Sequence, residues 1–514
     1  MSHALDGLQF PLDPKSQKPS SSKVGKEIIA EALSLVDNKT SMAVLAEKNW
    51  RKHYPHYFKA LVKAAITQPE HAITIAQQGL QKASNSLDFY RHGERYSLKD
   101  AVKLNAQVLH SVEIRGQSTQ APTWSVPYQG QNLQGDALLA QLQMWQDQGI
   151  IEPSHADAMR LCVAHPEWFD LSDRTMVLFG AGSEAGPLTW LAQWKANIVA
   201  LDLPQPKVWQ RIIQTIQAGN ATLYAPSHRE ISADAADVTD HLGANLLTEI
   251  PEIVQWLSDN PNDLDLAAIA YLDGEKHVRV AMAMDSIMHA VSQAKAKTSL
   301  MFMCTPTDVY AVPPEVIRAS KDKFNERSKL QQKLGKAMSV LTRQYLFKAN
   351  DHQLIPSNNG QAYGISDCLV IEQGPNYALA KRLQQWRATL ARSQGQVVSI
   401  NIAPSTTTQS VVKNPLLKAA FDGASLFDVE AFAPETTNAL MAALWIHDLR
   451  NPQSVAQPTT PLQHPLELMM SGANHGGLWR AAYLARTALP FAAVYGMALN
   501  KLPKPWLKKL PKIK

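Results

Sequence analysis

Cysteine is nearly absent from this chain: its three, Cys162, Cys304 and Cys368, lie far apart and lack CxxC spacing. That excludes a disulfide framework and a structural zinc site, and it points to a reducing compartment. No bound metal is expected. Charge is also sparse, with 18% charged against 45% hydrophobic residues, which excludes a disordered chain and fits a sizeable core. No run of about 20 apolar residues occurs, so no membrane span is expected. Met1–Ser22 is polar and lacks the apolar stretch of a secretory signal. P-loop, GxSxG and HExxH patterns are all missing, as is the basic-aromatic interleaving that would recommend nucleic acid. Together these absences leave a cytoplasmic protein whose net charge of +5 is too small to dictate a partner.

What is present reads as more than one domain, because 514 residues exceed the usual roughly 100–200. Residues 1–22 read as a disordered leader. The stretch 23–170 reads as a helical N-terminal region, with apolar residues at helical spacing in Ile28, Ile29, Ala32, Leu33 and again in Phe58, Leu61, Val62, Ala65. Further helices are expected at Asp136–Gln148 and His155–His165.

At Thr175 the pattern changes. Met176-Val177-Leu178-Phe179 is a short apolar run, followed by Gly180-Ala181-Gly182-Ser183-Glu184-Ala185-Gly186 and a helix-like stretch to Lys195. A second apolar run, Ile198–Leu201, ends at Asp202. Strand, glycine turn, helix, strand and acid in this order suit a dinucleotide. The glycines allow close approach of backbone to pyrophosphate, the helix N-terminus offers unpaired N–H groups, and the acid accepts from ribose hydroxyls. Gly180, Gly182, Ser183, Gly186 and Asp202 are therefore candidate cofactor contacts. Asp202 favours NAD over NADP by repelling a 2′-phosphate, an effect softened by Lys207 and Arg211 nearby. Strands at Thr222–Ala225, Ala267–Leu272, Leu300–Cys304 and Val397–Ile402 then alternate with helical stretches, which predicts a parallel sheet covered on both faces.

Asn376-Tyr377-Ala378-Leu379-Ala380-Lys381 opens a helix ahead of Val397–Ile402 and the turn Ala403-Pro404-Ser405-Thr406-Thr407-Thr408. Tyr377 and Lys381, four residues apart, share one helical face. An ammonium beside a phenol stabilises phenolate, so Tyr377 is a candidate acid/base for a carbonyl or hydroxyl.

Over roughly 172–450 the chain resembles the short-chain dehydrogenase/reductase family, in its glycine turn, its Tyr377/Lys381 pair and its Pro-Ser-Thr loop. The resemblance implies an α/β fold: a Rossmann-like doubly wound parallel sheet over 171–450, with the helical N-terminal region before it. A basic helical insert is expected at 314–366, and 451–514 forms a C-terminal extension. The resemblance also implies an NAD(P)-dependent oxidoreductase interconverting carbonyl and alcohol. Thr305, at the end of the fifth strand, would orient the substrate oxygen, and Asp285 would stand in the proton relay. Asn245 and Leu246 would contact adenine, with Pro404 and Thr406 over the nicotinamide. Departures from the family pattern are Glu184 at its middle glycine, Tyr-Leu-Asp-Gly at 271–274, Thr305 and Asp285. They leave an alternative: a catalytically inactive Rossmann-type module that binds a dinucleotide or a partner protein.

The insert carries Arg318, Lys321, Lys323, Arg327, Lys329, Lys333, Lys336, Arg343 and Lys348, and the tail carries Lys501, Lys504, Lys508, Lys509, Lys512 and Lys514 beside Trp506. They read either as solvated charge or as docking surfaces for an anionic lipid or an acyl carrier, which would place the protein at a membrane surface. The second reading suits a small-molecule substrate that is apolar, lipid-like or carrier-bound. Pro503, Pro505 and Pro511 prevent a regular amphipathic helix in the tail. His475-Gly476-Gly477 reads as a tight structural turn. Composition leaves an oligomer open.

Overall fold

The computed structural model describes residues 6–13, 18–350 and 353–501. A seven-stranded sheet organises the chain. Its strands are β1 (His110–Arg115), β2 (Thr175–Phe179), β3 (Asn197–Leu201), β4 (Thr222–Ser227), β5 (Leu264–Ala268), β6 (Thr298–Cys304) and β7 (Val397–Ile402). In space they run β7-β6-β5-β2-β3-β4-β1. All neighbours are parallel except β1, which pairs antiparallel with β4 at the edge. The order reverses at β2: the chain first builds outward through β3 and β4, then crosses back to β5. A crevice outside the carboxyl ends of β2 and β5 follows from that reversal.

Helices follow in chain order: α1 (Ser21–Ser34), α2 (Trp50–Ile66), α3 (Pro69–Asn85), α4 (Gly135–Asp147), α5 (Pro153–Ala164) and α6 (Leu188–Leu191). Then come α7 (Pro206–Gln217), α8 (Glu275–Ala294), α9 (Pro314–Asn325), α10 (Lys329–Leu341), α11 (Pro375–Ser393) and α12 (Pro434–Arg450). Successive strand residues point to opposite faces, and the core divides accordingly. Val177, Phe179, Leu266 and Phe302 join α1, α2, α3, α8 and α11 in one cluster. Met176, Leu178, Ala267 and Met301 join α4, α5, α7 and α12 in the other. Both faces are buried, which is why the strands read as continuous apolar runs.

Several expectations need correction. The leader is not wholly unstructured: Gly7–Gln9 pairs with Asp88–Arg91, and Leu8 is fully buried. The helical N-terminal region also contains strands, and β1 from it completes the sheet edge. Helix α3 packs on α11, so that region is integral to the core. Strand β5 spans Leu264–Ala268, not Ala267–Leu272, and its buried Asp265 is held by Arg174 at 2.6 Å and by the Ser299 hydroxyl at 2.6 Å. The insert holds α9 and α10, but it also forms a three-stranded antiparallel sheet from Val309–Val312, Ile355–Pro356 and Ala362–Asp367. Some of its charge is seated on rings, as with Arg327 over Tyr483 at 4.9 Å. No helix among the described residues is long and apolar enough to cross a membrane. The tail lysines from Lys504 onward, with Trp506, lie outside the described residues.

Candidate active site

The turn after β2 is built around Gly180. Its φ is +89°, and a Cβ there would lie 2.6 Å from the Ala270 Cα. Gly180→Ala is therefore expected to cost about 2 kcal/mol through strain and overlap, read as a lower denaturant midpoint with unchanged slope.

Most of the turn's N–H groups are held within the chain. Gly180 and Ala181 donate to the Leu201 carbonyl, Ser183 to Gly180 and Gly186 to Ser183. Gly182 donates to the Asp202 carboxylate at 2.8 Å, and Leu203 donates to its other oxygen at 2.8 Å. Glu184 and Ala185 are left, with N–H groups that meet no acceptor among the described residues. The Glu184 carboxylate is turned aside, accepting from the Gln409 N–H at 2.9 Å in the loop after β7. Arg211 donates to the Gly182 carbonyl at 2.5 Å, and the Asn438 amide on α12 to that of Gly186. Burial pushes the Asp202 carboxyl up, against its two N–H donors and Arg211.

The helix expected to run from this turn to Lys195 stops at Leu191. The Ala192 carbonyl accepts from Asn220 and Ala221 at 2.8 and 3.1 Å, and Lys195 takes a φ of +55°. A helix of four residues carries little macrodipole toward the turn.

Helix α11 starts at Gly374, whose φ is +81°, and Pro375. This places Tyr377 in the first turn, half-buried, with its ring 5.3 Å from His277 and 6.0 Å from Tyr271. Burial pushes its phenol up to about 12, and the nearby Thr305 hydroxyl opposes that rise. Thr305 is itself 2.8 Å from the Thr307 hydroxyl, which accepts from Gln373 at 2.5 Å.

Lys381 is one turn further along α11, but its ammonium faces β6. It donates to the Met303 carbonyl at 2.9 Å and to Gln384 at 3.3 Å. Burial lowers its pKa, with Cys304 and Asp308 opposing. The expected lowering of the Tyr377 pKa by Lys381 is thus replaced by a rise. Tyr377, Thr305 and Lys381 nevertheless converge on the end of β6.

Other expected residues lie elsewhere. Asp285 sits mid-helix on α8, paired with Arg387 of α11 at 2.6 and 2.9 Å. Asn245 caps its own turn, its side chain accepting from Leu247 at 3.0 Å, and Leu246 is buried at 6% exposure. Their link to the crevice is the Ala244 N–H, which donates to the Asp202 carbonyl. Pro404 is buried, and Thr406 is 2.7 Å from the Thr437 hydroxyl of α12, so this loop is fastened to the same helix as the glycine turn.

His277 was not legible as a site residue, since a lone histidine in a helical stretch reads as core. It is 1% exposed, and its Nδ1 is 3.1 Å from the Leu272 carbonyl. Burial holds its pKa at about 3, and the Lys381 charge adds to the effect. The ring is therefore neutral at physiological pH. A carbonyl only accepts, so Nδ1 carries the proton and Nε2 is an acceptor. That Nε2 meets no hydrogen-bond partner among the described residues. The residue lines a cavity of about 130 Å³ with Ser22, Arg51, Tyr271, Asn376 and Tyr377. No known protein family matches this sequence, and no curated protein matches it.

Proposed function

We propose that the protein is an NAD(P)-dependent oxidoreductase, similar to the short-chain dehydrogenases/reductases, that reduces a carbonyl to an alcohol at Tyr377. Its scaffold is a Rossmann-like doubly wound domain over 171–450. The observation that carries this reading is the convergence of Tyr377, Thr305 and Lys381 on the end of β6, at the sheet edge that also bears Gly180–Gly186 and Asp202.

The dinucleotide has a small set of contacts in this chain. Ala185 and Glu184 have N–H groups that meet no acceptor among the described residues and can receive phosphate, and the Glu184 carboxylate is directed to Gln409. Asp202 stands where an acid can accept from ribose, and its charge favours NAD. Because α6 adds little dipole, affinity rests on those few contacts. When bound, the cofactor supplies the hydride. The chain's part is proton transfer. A phenol held near 12 is neutral at physiological pH, the form that can donate to a carbonyl oxygen acquiring charge. Thr305 orients that phenol. Lys381 places positive charge at the strand end, where it favours an oxyanion.

Titration of NADH fluorescence, followed by absorbance decay on adding a carbonyl compound, tests the reading. The expected result is binding, then oxidation only when the carbonyl is present. Binding with no carbonyl-dependent oxidation across a carbonyl panel would favour the inactive module, for which the departures at Glu184 and Asp285 speak.

A further inference from the structure

Helix α10 and a later helix, α13 (Ala485–Lys501), both turn apolar side chains to solvent. A surface helix of a globular protein ordinarily sets polar residues outward. On α13 the exposed positions Pro490, Val494, Met497 and Ala498 form one helical stripe, and no charged residue occurs from Thr487 to Asn500. Its opposite side is closed: Gly496 packs so tightly on the Ala419 carbonyl of the helix Pro415–Asp422 that a Cβ has no room. On α10 the exposed stripe carries Lys329, Lys333 and Lys336, then Val340 at 77% exposure with Leu341 beside it at 81%.

The two helices adjoin. A Cβ at Gly335 of α10 would lie 2.8 Å from the Tyr483 hydroxyl, and Phe347, just beyond α10, packs on Phe491 of α13 with ring centroids 4.3 Å apart. Both belong to acid-free sequence, since neither 327–350 nor 468–514 contains Asp or Glu. Arg327, Arg480 and Arg486 are engaged internally, over the Tyr483 ring, with Glu152 and with Asp367. Lys329, Lys333, Lys336 and Arg343 are exposed, and the sequence after α13 adds Lys504, Lys508 and Lys509 beside Trp506 and Leu507. This charge selects the occupant. A second copy of the chain, or the residues after Lys501 folded back, would bring positive charge to positive charge. An anionic bilayer supplies an interior for the apolar stripe and headgroup charge for the lysines.

We propose that α10 and the outer side of α13 form a docking surface for an anionic lipid bilayer. Val340, Leu341, Val494 and Met497 enter the headgroup boundary, and Lys329, Lys333 and Lys336 meet the phosphates. The contact is peripheral, because the other side of α13 is packed on the protein. It needs nothing from the carbonyl–alcohol reading and stands or falls apart from it.

The test is sedimentation of the full chain with vesicles of phosphatidylcholine alone or with about 30% phosphatidylglycerol. The anionic vesicles bind the chain at least about tenfold more tightly than the neutral ones, and added salt weakens that binding. Two combined variants at exposed positions separate the contributions. Lys329→Gln with Lys333→Gln and Lys336→Gln removes charge, and Val340→Ser with Leu341→Ser and Val494→Ser removes the apolar stripe. Each melts as wild type does and binds anionic vesicles about tenfold or more weakly. Equal binding to neutral vesicles, no binding to either kind, or wild-type affinity in the serine variant overturns the proposal. Loss of binding on deleting 502–514, with both variants at wild-type affinity, assigns the contact to the tail and also overturns it. A dimer in sedimentation velocity that the serine variant dissolves gives the surface to a second copy, with the same consequence.

Discussion

Glu152→Ala is expected to destabilise the protein by about 3 kcal/mol, because it leaves the partly buried Arg480 guanidinium without its counter-charge and the buried His475 without its acceptor. Glu152 is 4% exposed and accepts from Arg480 at 2.8 and 2.7 Å and from His475 at 2.8 Å. The His475 Nδ1 accepts from the Gly477 N–H, so this ring is a neutral donor through Nε2 and Arg480 supplies the charge. Around this node the chain closes on itself. Glu152 donates its N–H to the Ala473 carbonyl, Gly477 to Ile150 and Glu430 to Gly476. A Cβ at Gly477 would lie 2.3 Å from the Asp428 carbonyl, which is why the turn needs glycine there.

The pH dependence follows from the same contacts. Burial alone would raise the Glu152 pKa, but the hydrogen bonds and charge of its partners outweigh it and hold the carboxyl at about 2. A folded-state pKa below the unfolded one gives stability that is present above about pH 4.5 and is lost as pH falls toward 2. Thermal melts should show the wild type losing this increment over that acid range and Glu152→Ala showing little of the loss. An alanine variant within about 1 kcal/mol of wild type at neutral pH would contradict the assignment.

The second large effect is on chemistry. Tyr377→Phe keeps the ring that packs on His277 and Tyr271 and removes only the hydroxyl that meets Thr305. Stability should therefore change little while carbonyl reduction falls by about 10²–10⁴-fold, the usual contribution of a positioned general acid. Direction and pH are linked to the phenol near 12. Reduction should be independent of Tyr377 ionisation through the physiological range. Alcohol oxidation needs phenolate and should rise about tenfold per pH unit on approaching 12. Full turnover in the phenylalanine variant, or an oxidation rate that ignores pH, would remove Tyr377 from the mechanism.

How much of this was legible depended on whether the deciding contacts were local. Val397–Ile402 was expected as a strand and is one, because a buried parallel strand announces itself as an apolar run. Helix α7 was similarly clear from its apolar spacing. The start of β5 was hidden by Asp265, whose partners are Arg174, just before β2, and Ser299 of β6. Thr189-Trp190-Leu191-Ala192-Gln193-Trp194 reads as helix by propensity, yet the Ala192 carbonyl is taken by Asn220 and Ala221.

The site divides in the same way. Tyr377, Thr305 and the glycine turn could be placed because motif spacing and strand ends locate them. The pairing of Asp285 with Arg387, over a hundred residues away, and the orientation of Lys381 toward Met303 are tertiary outcomes. His277 and Arg51 gave no signal, since what distinguishes them is a shared cavity built from helices far apart in sequence.

A crystal structure of the protein with NADH bears most directly on whether Tyr377 faces a dinucleotide. The expected result is continuous density from Asp202, past the N–H groups of Glu184 and Ala185, to the phenol of Tyr377. NADH bound away from Gly180–Gly186, or a nicotinamide remote from that phenol, would contradict the account.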